Sequence, residues 1–572
     1  MPKFIFTFLL AIVFIAMESN AQNVDVEDTY NSIKNREFIK VNGGASASLV
    51  YHASNGNDTG RLPWMYNLNG NLNITVLKNF SLPVSYNITN AGGAYSYPTF
   101  PNRLSFHPTY KWITGHVGDF TMSFSPYTFN GHQVRGAGVD VTLKKTKVSA
   151  FYGILNQAVQ YDSTNLTLPA VYKRIGYGLN VLYTGAKTSA GLSYFIGKDQ
   201  QGSIQTLPDS LRILPKENVA VGLKLGQSLG QNLKIEGEYA ISITTADARL
   251  IEQQQKTVNL FNQIKVNQTS DQRSAYKIRG SYTIIKNTIG IGYERVAPGY
   301  QTMGAYYFNN DFENFTLDYA RAFFKGKMQF SAKGGLQQDN LDKSKASTTQ
   351  RYIGSLQVSS PIGEKIQLSF SYSNFQNYMK VKSQFDNINQ GLPTTPSDSL
   401  NYVQVNHNAN ANITYLLQKT KDRMQNILLN VNVQKSNNKQ GGQDIAAAGV
   451  MMYNGMLGYN VNFIPKRISF TASLNTTLTE MQTSSFIYGP TLSANKRLMK
   501  DQLLVGLSTS YNRAESIGVL QTEIFNLRSN IGFTYKKKHS LTQSCLYQFK
   551  SQTQKHTNDG DFIGTITYAF NF

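Results

Sequence analysis

Apolar and polar residues alternate along most of this chain with a period of two. From Phe562 to Phe572 one face carries Phe562, Gly564, Ile566, Tyr568, Phe570 and Phe572, and the other carries Ile563, Thr565, Thr567, Ala569 and Asn571. The same alternation runs through Ile468–Leu478, Ile366–Ser373, Ile427–Val433 and Val219–Leu225. Successive side chains of a strand point to opposite faces, so each run predicts a strand that is apolar on one side only. A soluble sandwich also alternates, but it buries its apolar face within units of about 100 residues. Here the pattern continues for roughly 500 residues with no linker, Pro-rich hinge or helical domain. A closed barrel in lipid requires such a pattern, because every backbone polar group must find a partner and no sheet edge is left open.

Turn chemistry sets the strand count. Tight breaks fall at Lys78-Asn79, Gly115-His116, Lys144-Lys145, Gly185-Ala186, Gly230-Gln231, Lys286-Asn287, Lys325-Gly326, Gly363-Glu364, Thr420-Lys421, Pro465-Lys466, Lys500-Asp501 and Lys537-Lys538. Twelve hairpins, a first run from Ala45 to His52 and the closing run make about 26 strands, within a range of about 22–28, and an even number suits a single-chain barrel. The fold class predicted is all-β: one antiparallel transmembrane β-barrel. Its short turns lie on the periplasmic side with both termini. Its long connections, such as 91–102, 199–217, 246–273, 298–312 and 379–399, are extracellular.

Composition agrees with that reading. Only 16% of the 572 residues are charged, 12% are aromatic with 34 Tyr and 32 Phe, and there is one cysteine. This excludes a disulfide scaffold and any Cys-rich metal site. The first residues supply an export signal: Lys3, then an apolar stretch from Phe4 to Met17, then Ser19-Asn20-Ala21 as a small-x-small cleavage site. The chain therefore divides into a signal peptide, 1–21, a short periplasmic segment, 22–44, and the barrel, 45–572. The segment before the barrel is too short for the folded plug of a TonB-dependent transporter, and no periplasmic domain is expected after the last strand.

The terminal aromatic of the last strand resembles the closing strand of bacterial outer-membrane barrels. That resemblance implies that Tyr568, Phe570 and Phe572 form an assembly signal read by the barrel-insertion machinery. Further stretches carry a second resemblance: YKW at 110–112, FSPYTFNG at 124–131, PGY at 298–300, GAYYFNND at 304–311 and DNLD at 339–342. With these the chain resembles an uncharacterised family of large outer-membrane barrels of Bacteroidota-type bacteria. It implies a fold and a location, the cell outer membrane, but no activity and no functional residues.

Catalytic motifs are absent: there is no G-x-S-x-G, phosphate-binding loop or H-E-x-x-H, and no two of the seven histidines have metal-ligand spacing on one strand or helix. No catalytic, cofactor-binding or metal residues are assigned, and no enzyme activity is expected. The net charge of +21 is more informative. Lys144, Lys145, Lys147, Lys421, Arg423, Lys466, Arg467, Lys536, Lys537 and Lys538 gather at the tight breaks and predict a basic periplasmic rim. It lies beside lipid phosphates, where each lysine contributes about 1 kcal/mol, or serves as a docking ring for an acidic periplasmic protein or an anionic solute.

Parity along the strands sends a second group inward: Lys224, Lys234, Glu236, Glu238, Lys277, Arg279, Glu294 and Asp318 are lumen-lining charges in alternating sign. Cys545 shares the outward face of Tyr547 and Phe549. In the longest outer connection, 246–273, Leu250, Ile251, Val258, Phe261 and Ile264 need something to pack on. The expectation is that this loop folds inward as a short helix and narrows the pore beside Glu236, Glu238, Lys277 and Arg279. The alternative is an outer helix capping its own loop or meeting a partner.

Two readings follow. One is a partnered or loop-filled conduit for polar solute or polypeptide. The other is a non-conducting scaffold in a cell-surface or secretion assembly. Outer-membrane lipid and periplasmic or cell-surface proteins are the expected partners, and nucleic acid is not. The mature protein should begin at Gln22. N-terminal sequencing that returns Met1 would contradict the export reading.

Overall fold

The computed structural model describes residues 38–572, apart from 56–61, 78, 91–99, 101, 165–169, 206–207, 209–210, 212, 252–262, 307–308, 345–347, 349, 375–404, 437–438, 441–442, 445–449, 482 and 554–556. The export signal and the connection 379–399 lie outside the described residues. One antiparallel sheet winds through the chain and closes on itself as a barrel of 26 strands. Neighbours in sequence are neighbours in the sheet, except that Lys439–Gln440 and Gln443–Asp444 pair only with each other in the connection between Arg423–Ser436 and Val450–Phe463. Closure joins Ile39–Ser54 to Thr557–Asn571, from Gly44 opposite Asn571 to Ser54 opposite Asp561. The first strand starts at Ile39 and not near Ala45. Lys40, Asn42, Gly43 and Gly44 interrupt the apolar alternation there, but their backbones pair with 71–75 all the same.

One strand is broken into Arg103–Phe106 and Thr109–Tyr110. Both pieces pair with Phe80–Thr89 on one side and Ile113–Ser125 on the other, so they are one stave with His107 and Pro108 bulged between them. This moves one expected turn. Gly115-His116 is not a break but lies inside Ile113–Ser125, and the chain turns at Lys111-Trp112, where Lys111 has φ +51°. Gly115 is there for the bulge: its N–H donates to Pro108 O at 2.7 Å, and a Cβ would sit 3.2 Å from Pro108 Cγ. The other eleven breaks are turns at the end of the barrel that carries the first and last strands' free ends. Several place non-glycine residues at positive φ, among them Ile285, Lys536 and Lys537. That is the twist a short hairpin connection needs.

Side-chain parity separates the two surfaces. Leu192, Leu223, Tyr239 and Tyr276 are cross-strand partners at one level. Such positions form an outer band of exposed Leu, Ile, Tyr and Phe around the barrel. Exposed apolar side chains on nearly every stave, with the backbone paired from strand to strand, define a surface for lipid and not for water. Cys545 belongs to this face, opposite Gly564. Strand lengths reach 17 residues in Val519–Tyr535, beyond the about 9–11 that cross a bilayer, so the loop ends of many staves project past the membrane.

The seam depends on the last residue. Phe572 N–H donates to Gly43 O at 3.0 Å, and Gly43 N–H returns a bond to Phe572 O at 3.2 Å. Its ring lies 5.4 Å from Phe570, which packs on His539. Deleting Phe572, or Phe572→Asp, should lower the membrane-inserted, heat-modifiable fraction on gels. An unchanged fraction would show that the terminal aromatic carries no assembly signal.

Candidate functional site: the lumen

The eight charges assigned inward by parity lie on the lumen face of five neighbouring strands. Register arranges them in tiers. Lys224 is opposite Glu238, Glu238 opposite Lys277, and Lys277 opposite Glu294. The signs alternate along the tier, which then ends in amides: Glu294 faces Asn314, and Asn314 accepts a bond from Gln337 at 2.7 Å. One step nearer the turns, Glu236 is opposite Arg279. Arg279 reaches Asp318 at 2.7 Å, and Lys234 reaches Glu236 at 2.8 Å. Lys333, not singled out from sequence, stands opposite Asp318.

This wall is covered from inside by two segments. The first is the tip of the hairpin Ile113–Ser125 and Phe129–Leu143. The tip leaves its own part of the wall and lands on the charged tier. Ser125 Oγ donates to Glu238 Oε1, and Tyr127 OH donates to Glu294 Oε1 at 2.6 Å. Burial, followed by the charge of Glu294, pushes the Tyr127 phenol well above its ordinary value, so it stays a donor. Thr128 Oγ1 meets Ser193 Oγ at 3.1 Å over Gly222, where a Cβ would come within 3.2 Å of Thr128 Cγ2. Phe129 is fully buried among Phe151, Leu155, Phe195 and Ala220, a burial worth about 1.5–3 kcal/mol.

The second segment is 297–306. Tyr300 OH donates to Tyr127 O at 2.7 Å, Thr302 Oγ1 donates to Thr128 O at 2.6 Å, and Asn130 N–H donates to Gly304 O at 2.9 Å. A Cβ on Gly304 would lie 2.4 Å from Thr128 O, so only glycine allows this approach. The segment is tied to the wall where Ser242 Oγ donates to Gln301 O and Met303 N–H donates to Asn218 Oδ1 at 3.0 Å. Tyr306 stacks on His132 at 4.0 Å. Further along, Asn310 donates to Tyr300 O, and Asp311 accepts from Leu341 N–H at 2.8 Å. The stretches 124–131, 298–300, 304–311 and 339–342 thus meet in one assembly. The signal that marks it in sequence is Phe124, Tyr127 and Phe129 in a turn otherwise made of Ser125, Pro126, Thr128, Asn130 and Gly131.

The middle of 246–273, residues 252–262, where the inward helix is expected, lies outside the described residues, and the described end after it sits outside the barrel. Ile264 and Val266 are buried against Ile196, Val219 and Ile243. These are on the outward faces, since Ile196 pairs with Val219 and Val219 with Ile243 in the register of Leu192, Leu223 and Tyr239. This part of the loop therefore lies on the outside of the barrel, at its loop end. Leu250 is half-buried and Ile251 is 88% exposed. Val258 and Phe261 are outside the described residues. Ile264 does find a surface, and it is the projecting outer wall.

The basic rim residues occupy the turn end. Lys144, Lys145, Lys421, Lys466, Lys536, Lys537 and Lys538 are exposed turn residues, and Arg423 opens a strand. Arg467 pairs with Asp501 at 3.1 Å. Lys147 departs from the group: it is on Thr146–Asn156 and pairs with Asp140 at 3.1 Å. Asp140 also meets His116 Nε2 at 3.3 Å, and His116 Nδ1 lies 2.8 Å from His107 Nδ1. The bulge brings this histidine pair together, which spacing along one strand does not reveal. Among the described residues no group of three or more His, Cys, Asp or Glu is placed to hold a metal ion.

Opposite the charged wall the lumen is uncharged. From Ile366–Ser373 to Leu503–Ser516, seven consecutive strands turn mostly Asn, Ser, Thr, Gln and Gly inward, interrupted by Leu428, Met452, Met456 and Ile487, with no charge away from the turns.

A closed antiparallel barrel with a lipid-facing band and a polar interior is an integral outer-membrane protein. No protein family matches the chain, and no curated protein does. Among solved structures, the P pilus usher (PapC) translocation pore is 8% identical with a TM-score of 0.37, covering 93% of this chain and 99% of its own. The copper transporter OprC is 8% identical with a TM-score of 0.37, covering 93% and 80%. Acinetobacter baumannii OccAB4 is 10% identical with a TM-score of 0.28, covering 68% and 97%. These are likenesses of fold alone.

Replacing Ile264 with Asp should expose 263–269 to added protease on intact cells while leaving the barrel heat-modifiable. Protection equal to the unmodified protein would remove the outer docking of this loop.

Proposed function

We propose that the barrel is a conduit for polar solutes across the outer membrane, narrowed by the hairpin tip 125–131 and the segment 297–306. The observation that carries this reading is the latch of Ser125 on Glu238 and Tyr127 on Glu294. A barrel of 26 strands is wider than porins of about 16–18 strands, and unobstructed it would leak. The inward segments supply an obstruction, held to the charged tier by hydrogen bonds and to the neighbouring wall by the burial of Phe129. Each such bond contributes about 1.5–3 kcal/mol, enough to move an open–closed ratio about ten- to a hundredfold.

A scaffold reading is supported by the exposed lysines of the turn end, which offer an acidic periplasmic protein a docking ring. The two readings part in planar bilayers. Tyr127→Phe combined with Glu294→Gln should raise single-channel conductance or open probability severalfold. Equal currents from a heat-modifiable variant would remove the latch, and no current from either protein would favour the scaffold.

A further inference from the structure

We propose that the uncharged wall opposite the latch is a track for a neutral polyhydroxylated solute, an oligosaccharide; this rests on the conduit reading above. The seven strands from Ile366–Ser373 to Leu503–Ser516 also present no aromatic side chain to the lumen, so the wall is neither ionic nor aromatic, and its amides and hydroxyls are interrupted away from the turns by the aliphatic Leu428, Met452, Met456 and Ile487. Its side chains are held in place by one another. Asn430 donates to Asn412, Asn460 donates to Thr471 at 2.8 Å, and Asn475 donates to Thr491 at 2.9 Å. A primary amide has two donor hydrogens and an acceptor with two lone pairs, so one lateral bond fixes its orientation and leaves capacity for a ligand.

Two of these amides are short of a donor. The carbonyl oxygens of Asn426 and Asn475 are buried and have no hydrogen-bond partner. An amide offers a donor and an acceptor side by side, and adjacent hydroxyls of a sugar ring match that pair. A charged solute gains nothing here, because it would shed water against a wall with no counter-charge. A polypeptide would bring charged side chains for which this wall has no counter-charge.

The test is calorimetric titration of the intact, detergent-solubilised protein with maltohexaose, with hexagalacturonate as an anionic probe of equal length. Maltohexaose should bind at least tenfold more tightly. Asn412→Leu with Asn430→Leu should weaken its binding at least tenfold while heat-modifiable mobility is kept. The comparison of the two sugars on the unmodified protein stands even if that variant misfolds. No heat with maltohexaose, equal binding of the two sugars, or preference for an uncharged Asn/Ser-rich peptide would overturn the proposal. Channel current without maltohexaose binding sinks the oligosaccharide and keeps the conduit. Maltohexaose binding without current keeps the track's specificity and sinks the conduit.

Discussion

In hydrocarbon a backbone N–H or C=O has no water to turn to, and that single constraint organises this protein. It forces the sheet to close, which makes the pairing of Ile39–Ser54 with Thr557–Asn571 the step on which all other staves depend. Closure in turn fixes parity. Once each strand has an outward and an inward face, the side chains sort without a conventional core: Leu, Ile, Tyr and Phe outside, amides, hydroxyls and ion pairs inside. The buried apolar clusters occur where a segment comes to lie against one of those faces, as 125–131 does within and 263–267 does without.

The lumen is asymmetric for the same reason. Lys224, Glu238, Lys277 and Glu294 sit on adjacent strands at one level, so each charge has an opposite neighbour and the wall is stable without a ligand. The hairpin tip adds Ser125 and Tyr127 as donors to the two carboxylates of that tier. The amide wall lacks such a cover among the described residues. What would travel through the barrel meets one side already occupied and one side open to hydrogen bonding.

Much of this was legible in the sequence because two periodicities coincide. Alternation gives the faces, and the spacing of turn residues gives the staves; together they yield the strand number and the inward set from Lys224 to Asp318. The failures have physical causes. Gly115 looks like a turn residue, yet its missing side chain serves the Pro108 bulge. Ile264 looks like a residue in need of burial, which is correct, but sequence does not say on which side of the wall the burial occurs. The hairpin tip escaped notice because it is short, although Tyr127 and Phe129 there are as anomalous as the apolar residues of the longer loop. The histidine pair is invisible to spacing rules because the bulge creates it.

The outer docking of Ile264 and Val266 also fixes a waterline. A loop with polar backbone cannot lie in hydrocarbon, so the acyl chains must end below Val219 and Ile243, the residues it covers. On Glu217–Leu229 that leaves Val221–Leu229 for the lipid. Nine residues is the length of a strand that crosses a bilayer, about 9–11. The loop therefore acts as a collar that sets the depth at which the barrel floats, and this sector can neither sink further without dragging polar backbone into oil nor rise without wetting its own apolar band.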